Sequence, residues 1–220
     1  MGELRLYAIG VEEMCGMFGA PPEQAERLRA LAGQAFAAPV PAGARSGGLI
    51  GKLGPLFRRV PAAPVVSPTD PEPRDVEALL AGAYVPHDRT GATWRVLEVL
   101  VSGTAWGSTK VPLTSTALDE LDFALARGGV PASVGLRHLL NSSTSVNLLP
   151  VQGLTVGWHP FEKVLAMTAA YRSALDQLPT AEQRDLVAAL VGGLEGFLPW
   201  SRAAATSGRP APDLVGFWAG

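Results

Sequence analysis

The strongest constraint on the fold of this chain is a proline-rich span between residues 39 and 73. Eight prolines fall within it, at positions 39, 41, 55, 61, 64, 68, 71 and 73. Proline lacks a backbone N–H and fixes φ, so this density blocks long helices and central strands. We therefore predict a long irregular connection or lid here, between an N-terminal part over residues 1–38 and a main body over residues 74–220. Both parts are expected to pack together as a single domain.

Hydrophobic periodicity on either side of this span predicts an α+β fold that is mostly helical, with a small antiparallel or mixed sheet. Alternation over residues 3–10 indicates a first strand, and short apolar runs at Val146–Leu149 and Leu154–Trp158 indicate two more. Trp106–Lys110 is predicted as a loop, and the apolar ending Asp213–Trp218 is expected to dock on the body. Helices are predicted over residues 11–18, 22–36, 75–81, 90–103, 114–126, 131–140, 160–178 and 180–198.

Composition narrows the class of protein. Hydrophobic residues make up 47% of the chain and charged residues 17%, a balance that favours a packed core over disorder. Lys and Arg number 18 against 20 Asp and Glu, so the basic excess typical of nucleic-acid-binding proteins is absent. Residues 1–9 lack signal-peptide features, and no apolar run approaches the roughly 20 residues that span a bilayer. With Cys15 as the single cysteine, we expect a cytoplasmic protein that contacts neither nucleic acid nor membrane.

Four polar residues are the sequence's candidates for catalysis: His87, Asp88, Arg89 and His159. The first three form the densest polar cluster, just before the helix predicted over residues 90–103. A histidine and an aspartate could perform acid–base chemistry if they shared a cleft, although adjacent residues rarely point at one substrate atom. His159 lies where a predicted strand meets a predicted helix, a place where functional loops occur.

No cofactor or metal site is predicted. The three histidines show no H-x-x-x-H or H-E-x-x-H spacing, and Cys15 has no second ligand nearby. The stretch Gly47–Lys52 superficially suggests a phosphate loop. The motif G-x-x-x-x-G-K-S/T requires a glycine where this chain has Ser46, and a serine or threonine where it has Leu53. The stretch therefore does not match the motif.

An apolar and basic insert within the proline-rich span is the predicted contact with a protein partner. A plain flexible tether favours Gly and Ser and avoids large apolar groups, whereas this insert concentrates them beside arginines, which suits an acidic partner. Trp106 is included among the predicted contact residues because tryptophans anchor interfaces. Five of the 15 aromatic residues in this chain are tryptophans. The predicted partner-binding residues are Leu49, Ile50, Leu53, Leu56, Phe57, Arg58, Arg59 and Trp106.

Several stretches resemble an uncharacterised family of proteins from high-GC actinobacteria: Tyr7–Glu13, Thr93–Glu98, Trp106–Ser108 and Gly208–Trp218. The resemblance covers most of residues 75–220. The chain also bears a fainter similarity to YfbM-like proteins, in which an N-terminal strand and short acidic helix accompany a Trp-bearing helix. Some of those proteins occur near polymorphic toxin genes and are regarded as immunity proteins. The shared motifs are packing motifs, so the resemblance transfers no functional residue, and the proline-rich span departs from the shorter YfbM-like pattern.

These observations favour a non-catalytic cytoplasmic protein that binds a partner, with an immunity-like role implied by the resemblance. The alternative is a small-molecule enzyme whose pocket lies under residues 39–73 and uses the four candidate catalytic residues. A pocket that brings two of those side chains within hydrogen-bond reach would favour the enzyme. A flat apolar patch near Phe57 and Trp106 would favour binding.

Overall fold

The computed structural model describes residues 2–36 and 70–220. Within these residues four strands form one antiparallel sheet, in the spatial order β2-β1-β4-β3. The strands are β1 (Glu3–Ile9), β2 (Ser108–Pro112), β3 (Leu154–His159) and β4 (Asp213–Ala219). The predicted α+β class, with a small sheet and a helix-rich body, is confirmed.

Helices cover both faces of the sheet. They are α1 (Val11–Cys15), α2 (Pro22–Ala35), α3 (Pro73–Leu80), α4 (Thr90–Thr104), α5 (Ser115–Arg127), α6 (Leu136–Asn141), α7 (Phe161–Ala174), α8 (Ala181–Leu194) and α9 (Phe197–Ser207). Short 3₁₀ turns lie at His87–Arg89, Ala132–Val134 and Leu175–Gln177. No helix of the described residues is both long and apolar enough to cross a membrane.

Side-chain alternation along β1 divides the core into two halves. Leu4, Leu6 and Ala8 pack into a cluster with α5 to α9, whereas Tyr7 and Ile9 pack into a second cluster with α1 to α4. Successive strand residues point to opposite faces, so a strand between two helical layers must be apolar on both. The sheet therefore separates two hydrophobic cores and contributes to each.

The last strand of the chain, β4, occupies the middle of this sheet. It pairs with β1 over seven residue pairs and with β3 over six. Its side chains Val215 and Phe217 are completely buried on one face, and Leu214 is buried on the other. Opposite Gly216, Gly157 on β3 lets α6 approach closely, since a Cβ atom there would lie 1.9 Å from the Leu139 carbonyl oxygen.

Several predicted elements were wrong in detail. Val146–Leu149 is not a strand. An isolated bridge joins Val151, just after this run, to Leu154 at the start of β3. The predicted loop over Trp106–Lys110 runs into edge strand β2, because pairing with β1 overrides its weak apolar pattern. The helices predicted over 131–140 and 180–198 are each interrupted, by Gly135 and by Glu195-Gly196. The domain division at residues 39–73 stays a prediction, because most of that span lies outside the described residues.

Replacing Trp94 with alanine is expected to lower the free energy of unfolding by about 3–5 kcal/mol, the range for emptying a large buried aromatic site. Trp94 is 6% exposed, and its ring packs edge-on against Phe217 with centroids 6.3 Å apart. Urea denaturation monitored by far-UV circular dichroism measures the change. Trp94→Phe, which keeps much of the apolar volume, should lose clearly less. A Trp94→Ala midpoint equal to that of the wild type would contradict the assigned packing.

Candidate binding surface

The predicted polar cluster before α4 is largely a structural anchor. Arg89 is 8% exposed, and its guanidinium pairs with the Asp75 carboxylate on α3 through two nitrogens. It also lies 3.3 Å from a Glu72 carboxylate oxygen and donates to the Asp70 carbonyl at 3.0 Å. The neighbouring His87 and Asp88 are exposed. Arg89, just before α4, thus binds both α3, through Asp75, and the residues that precede α3, through Glu72 and Asp70.

His159, the remaining candidate for catalysis, lies at the end of β3 with no exposed surface. Its Nδ1 is 2.9 Å from the Trp158 carbonyl oxygen, and its Nε2 has no hydrogen-bond partner among the described residues. Burial, followed by the positive charge of Lys163, lowers the pKa of His159 to about 4. The His138 ring lies 5.3 Å away, centroid to centroid. At neutral pH the imidazole is therefore an uncharged core group.

The predicted partner-binding residues fall into two groups. Those between 49 and 59 lie outside the described residues. Trp106 is partly buried, and the Arg209 guanidinium covers its ring at 4.6 Å from the centroid. Arg209 also forms hydrogen bonds of 2.9 and 3.2 Å to the Glu13 carboxylate and one of 3.1 Å to the Thr104 carbonyl. The Trp106 ring therefore belongs to an internal contact in which Arg209, shortly before β4, binds Glu13 on α1 and Thr104 at the end of α4.

A cleft of about 230 Å³ lies between α2 and α3, where the chain leaves and re-enters the described structure. Arg29 and Glu77 form a two-pronged ion pair in its wall, with N–O distances of 2.6 and 2.9 Å. Its remaining lining is Ala32, Gly33, Phe36, Pro71, Glu72, Pro73 and Val76. None of the four candidate catalytic residues lines this cleft.

A different region shows the features of a binding site. Between α6 and β3 residues 143–150 belong to neither a helix nor a strand, and we call this stretch the 143–150 segment. The Trp158 indole N–H donates to the Ser143 carbonyl at 3.0 Å, and the Trp94 indole N–H donates to the Leu149 carbonyl at 2.9 Å. Two tryptophans thus hold the segment near its two ends. Between them it stands apart from β3, since no backbone hydrogen bond joins the two among the described residues.

On one side of the segment lies a trough of about 260 Å³, bounded across from it by β3. Its apolar lining is Trp94, Val146, Leu148, Pro150, Val151, Leu154 and Val156. Its polar lining consists only of the hydroxyl-bearing residues Ser143, Thr144 and Thr155. None of the described residues that line the trough is charged.

On the other side lies a cleft of about 400 Å³ between the segment and the loop that follows α3. Tyr84, on that loop, is 83% exposed, and Leu149, on the segment, is 50% exposed. The cleft is otherwise lined by Phe18, Gly82, Ala83, Val85, Val146, Asn147 and Leu148. We refer to this cleft and the trough together as the segment surface.

The loop that carries Tyr84 has a firm base. Gly19 and Gly82 both adopt positive φ, at 76° and 62°, a conformation that disfavours residues with a Cβ atom. Their backbone N–H groups both donate to the Leu79 carbonyl, at 3.0 and 3.1 Å. A Cβ atom on Gly82 would lie 3.1 Å from the Gly19 Cα, so the two turns pack backbone to backbone. Tyr84 is consequently presented to solvent from a well-supported turn.

The described residues contain no metal cluster. Within residues 2–36 and 70–220, no group of three His, Cys, Asp or Glu side chains lies close enough to hold a metal ion. Cys15 is partly buried, and burial raises the pKa of its thiol. The segment surface is therefore distinguished by its concave shape and its largely apolar lining.

Comparison with known proteins gives one family. A family model described as a domain of unknown function, DUF7691, matches residues 57–219. No curated protein and no solved structure matches the chain. The family match extends over the whole segment surface apart from Phe18.

Acidification is expected to weaken the fold through His159. An unfolded histidine has a pKa near 6.5, so as the pH falls below that value the unfolded state takes up the proton first. Because the folded pKa is about 4, the free energy of unfolding declines between pH 6.5 and pH 4. The decline between pH 7 and pH 5 is about 2 kcal/mol.

Urea denaturation of His159→Gln beside the wild type at both pH values isolates this contribution. The variant should lose about 2 kcal/mol less than the wild type over that interval. Both proteins retain the exposed neighbour His138, so the comparison isolates the substitution at His159. Equal pH dependence in the wild type and His159→Gln would show that His159 is not the titrating group.

Proposed function

The chain belongs to the DUF7691 family, and we propose that it acts by binding a protein partner at the segment surface. The observation that carries this proposal is the pairing of Tyr84, 83% exposed, with Leu149, 50% exposed, across one cleft. Exposed apolar groups that cluster in a concave surface mark interaction sites, whereas scattered ones do not. Tyrosine is also enriched among the residues that contribute most to binding energy.

Another exposed aromatic residue of the chain provides a contrast. Phe123 on α5 is 67% exposed, but the cleft beside it is lined by Glu120, Arg127 and two glutamines. A charged and polar rim of this kind is ordinary protein surface. The segment surface differs in that its exposed residues adjoin a continuous apolar lining.

Two of the candidate catalytic residues, Arg89 and His159, have structural roles that support binding over catalysis. Arg89 has its guanidinium engaged by Asp75, Glu72 and the Asp70 carbonyl. His159 is buried and uncharged, with its imidazole in the core. General acid–base catalysis requires a titratable group within hydrogen-bond reach of a substrate. Among the described residues, the polar side chains that line the segment surface are hydroxyls and the Asn147 amide. We therefore do not extend the proposal to a small-molecule enzyme.

The sequence adds two finer parts to this proposal. First, the apolar and basic residues between Leu49 and Arg59 form a second contact with the same partner, with arginines suited to acidic groups. Second, the protein works in the cytoplasm in an immunity-like role, inactivating its partner by covering part of its surface. Non-catalytic inhibition of this kind needs only a stable complex, which agrees with a site made of packing residues.

Substitutions in the cleft are expected to weaken the partner complex. Tyr84→Ala should raise the Kd of the purified complex about 30-fold, since a central aromatic anchor contributes roughly 2 kcal/mol. Leu149→Asp should act in the same direction because it places a charge in the apolar cleft. The partner is first isolated with the tagged wild-type protein from the cells that make it, and Kd is then measured by calorimetry.

Phe123→Ala is the matched control for these substitutions, since it removes an exposed aromatic ring elsewhere on the surface. It should leave Kd unchanged, and all three variants should keep the wild-type melting temperature. Partner binding that resists Tyr84→Ala and Leu149→Asp but is lost in Phe123→Ala would place the interface elsewhere and refute the proposal.

Deletion of residues 47–59 tests the second contact. We expect thermal melting within error of the wild type and loss of the partner complex, because large apolar side chains in this insert are reserved for the interface. A length-matched control replaces Leu49, Ile50, Leu53, Leu56 and Phe57 with serine, which keeps the connection but removes the apolar contacts. It should behave like the deletion. A melting temperature lowered by many degrees in a protein that binds no partner would instead identify the insert as core.

A further inference from the structure

We infer that the partner presents an extended, uncharged peptide segment that pairs with the free edge of β3 inside the trough. This inference rests on the proposed function and specifies how the segment surface recognises its partner. Addition of a strand to an open sheet edge is an established mode of peptide recognition, in which backbone hydrogen bonds supply affinity and alternate side chains supply specificity. Three features of the trough point to this mode: backbone groups, edge composition and charge.

Every second residue of β3 directs its backbone N–H and C=O groups away from β4. The Gly220 N–H donates to the Gly153 carbonyl at 3.0 Å, so this pair is hydrogen-bonded between the two strands. Hydrogen-bonded pairs alternate with unbonded ones in an antiparallel ladder. From the register of β3 and β4, the residues whose N–H and C=O groups point away from β4 are Leu154, Val156 and Trp158.

Val156 lies at the centre of this outward set. Neither its N–H nor its C=O has a hydrogen-bond partner in the part of the chain that the structure describes. The facing 143–150 segment does not supply one among the described residues, because its hydrogen bond to β3 is from the Trp158 indole to the Ser143 carbonyl. At the turn that follows the segment, the Leu154 N–H donates to the Val151 carbonyl. An incoming strand would find a donor and an acceptor at the spacing of an ordinary ladder.

The two edges of the sheet differ in how they are protected. Edge strand β2 carries Lys110 and Pro112, and charged residues and prolines are the usual means by which proteins prevent edge-to-edge pairing. Edge strand β3 contains neither a charged residue nor a proline between Leu154 and His159. An unprotected edge with apolar residues is a template for another strand. Its composition therefore favours pairing where that of β2 opposes it.

The electrostatics of the trough select the partner's side chains. The polar side chains that line the trough in the described part of the chain are hydroxyls, which offer no counter-charge to an ionic group. Burial of an unpaired charge is costly, so the residues that point inward from the bound strand must be apolar or carry a hydroxyl. A neutral trough is thus complementary to a neutral stretch of about five residues in which such side chains occupy alternate positions.

A defined probe tests the inference without knowledge of the natural partner. A display library of random linear nine-residue peptides is selected on the full-length protein, and an enriched peptide is synthesised. We expect Val156→Pro to raise its Kd at least about tenfold, since proline removes the outward N–H and hinders pairing at the edge. An edge strand tolerates proline where its N–H faces solvent, so the β3–β4 ladder and the melting temperature should persist.

Two controls keep the test independent of folding. Val156→Ala shortens the side chain but retains the N–H, and it should change Kd less than about threefold. N-methylation of the peptide, one residue at a time, should weaken binding at alternate positions only, because every second amide faces β3. In the wild type, amide hydrogen exchange at Val156 should slow on addition of the peptide. Equal loss at every methylated position, or no loss at any, would overturn the inference.

Other occupants of the edge would give different results. If the 47–59 deletion variant bound the peptide at least tenfold more tightly than wild type, the chain's own insert would be the occupant, and the inference would fail. A homodimer abolished by Val156→Pro would identify a second copy instead. Loss of the natural partner by Tyr84→Ala but not by Val156→Pro would retain the proposed function and refute edge pairing. Retention of the partner by both variants would refute the proposed function as well.

Discussion

The structure depends on the insertion of the last strand between the first and third strands. β4 pairs with β1 along its whole length, and it joins residues about 200 positions apart in sequence. The Asp213 carboxylate at its start accepts hydrogen bonds from the Val11 and Phe161 N–H groups, at 2.9 and 3.2 Å. The first turns of α1 and α7 are thereby fixed to the same end of the sheet. Both hydrophobic cores and the open edge at β3 follow from this central position.

Local patterns were sufficient to predict the fold class and most of the helices, but not α9 or the pairing of the sheet. The apolar spacing around Trp94 defines a helix because its partners lie within a few turns of the chain. β4 is buried on both faces, so its apolar run lacks the alternation that identifies a strand with one exposed face. The Val146–Leu149 run, which looks equally strand-like, pairs with no strand among the described residues. Strand identity here is decided by pairing between distant residues, which a single sequence does not reveal.

The candidate site shows the same limit. Arg89 and Trp106 were selected by residue type, and the structure gives both of them internal partners: a carboxylate network for Arg89 and the Arg209 guanidinium for Trp106. Tyr84 carries no signal in the sequence beyond its position in a short loop after Gly82. Its exposure depends on the contact of Gly82 with Gly19, more than 60 positions earlier. Exposure of this kind is a tertiary property and is not encoded in a local motif.

The trough also raises the question of why the 143–150 segment does not close onto β3. Two apolar stretches joined by a short turn would ordinarily form a hairpin and satisfy the backbone groups of both. Here the indoles of Trp94 and Trp158 already engage carbonyls of the segment, and Val146 and Leu148 pack against the second core. Closing the hairpin would sacrifice those contacts. Within the described residues, the fold thus leaves the outer edge of β3 without a paired strand by stabilising its neighbour in the chain elsewhere.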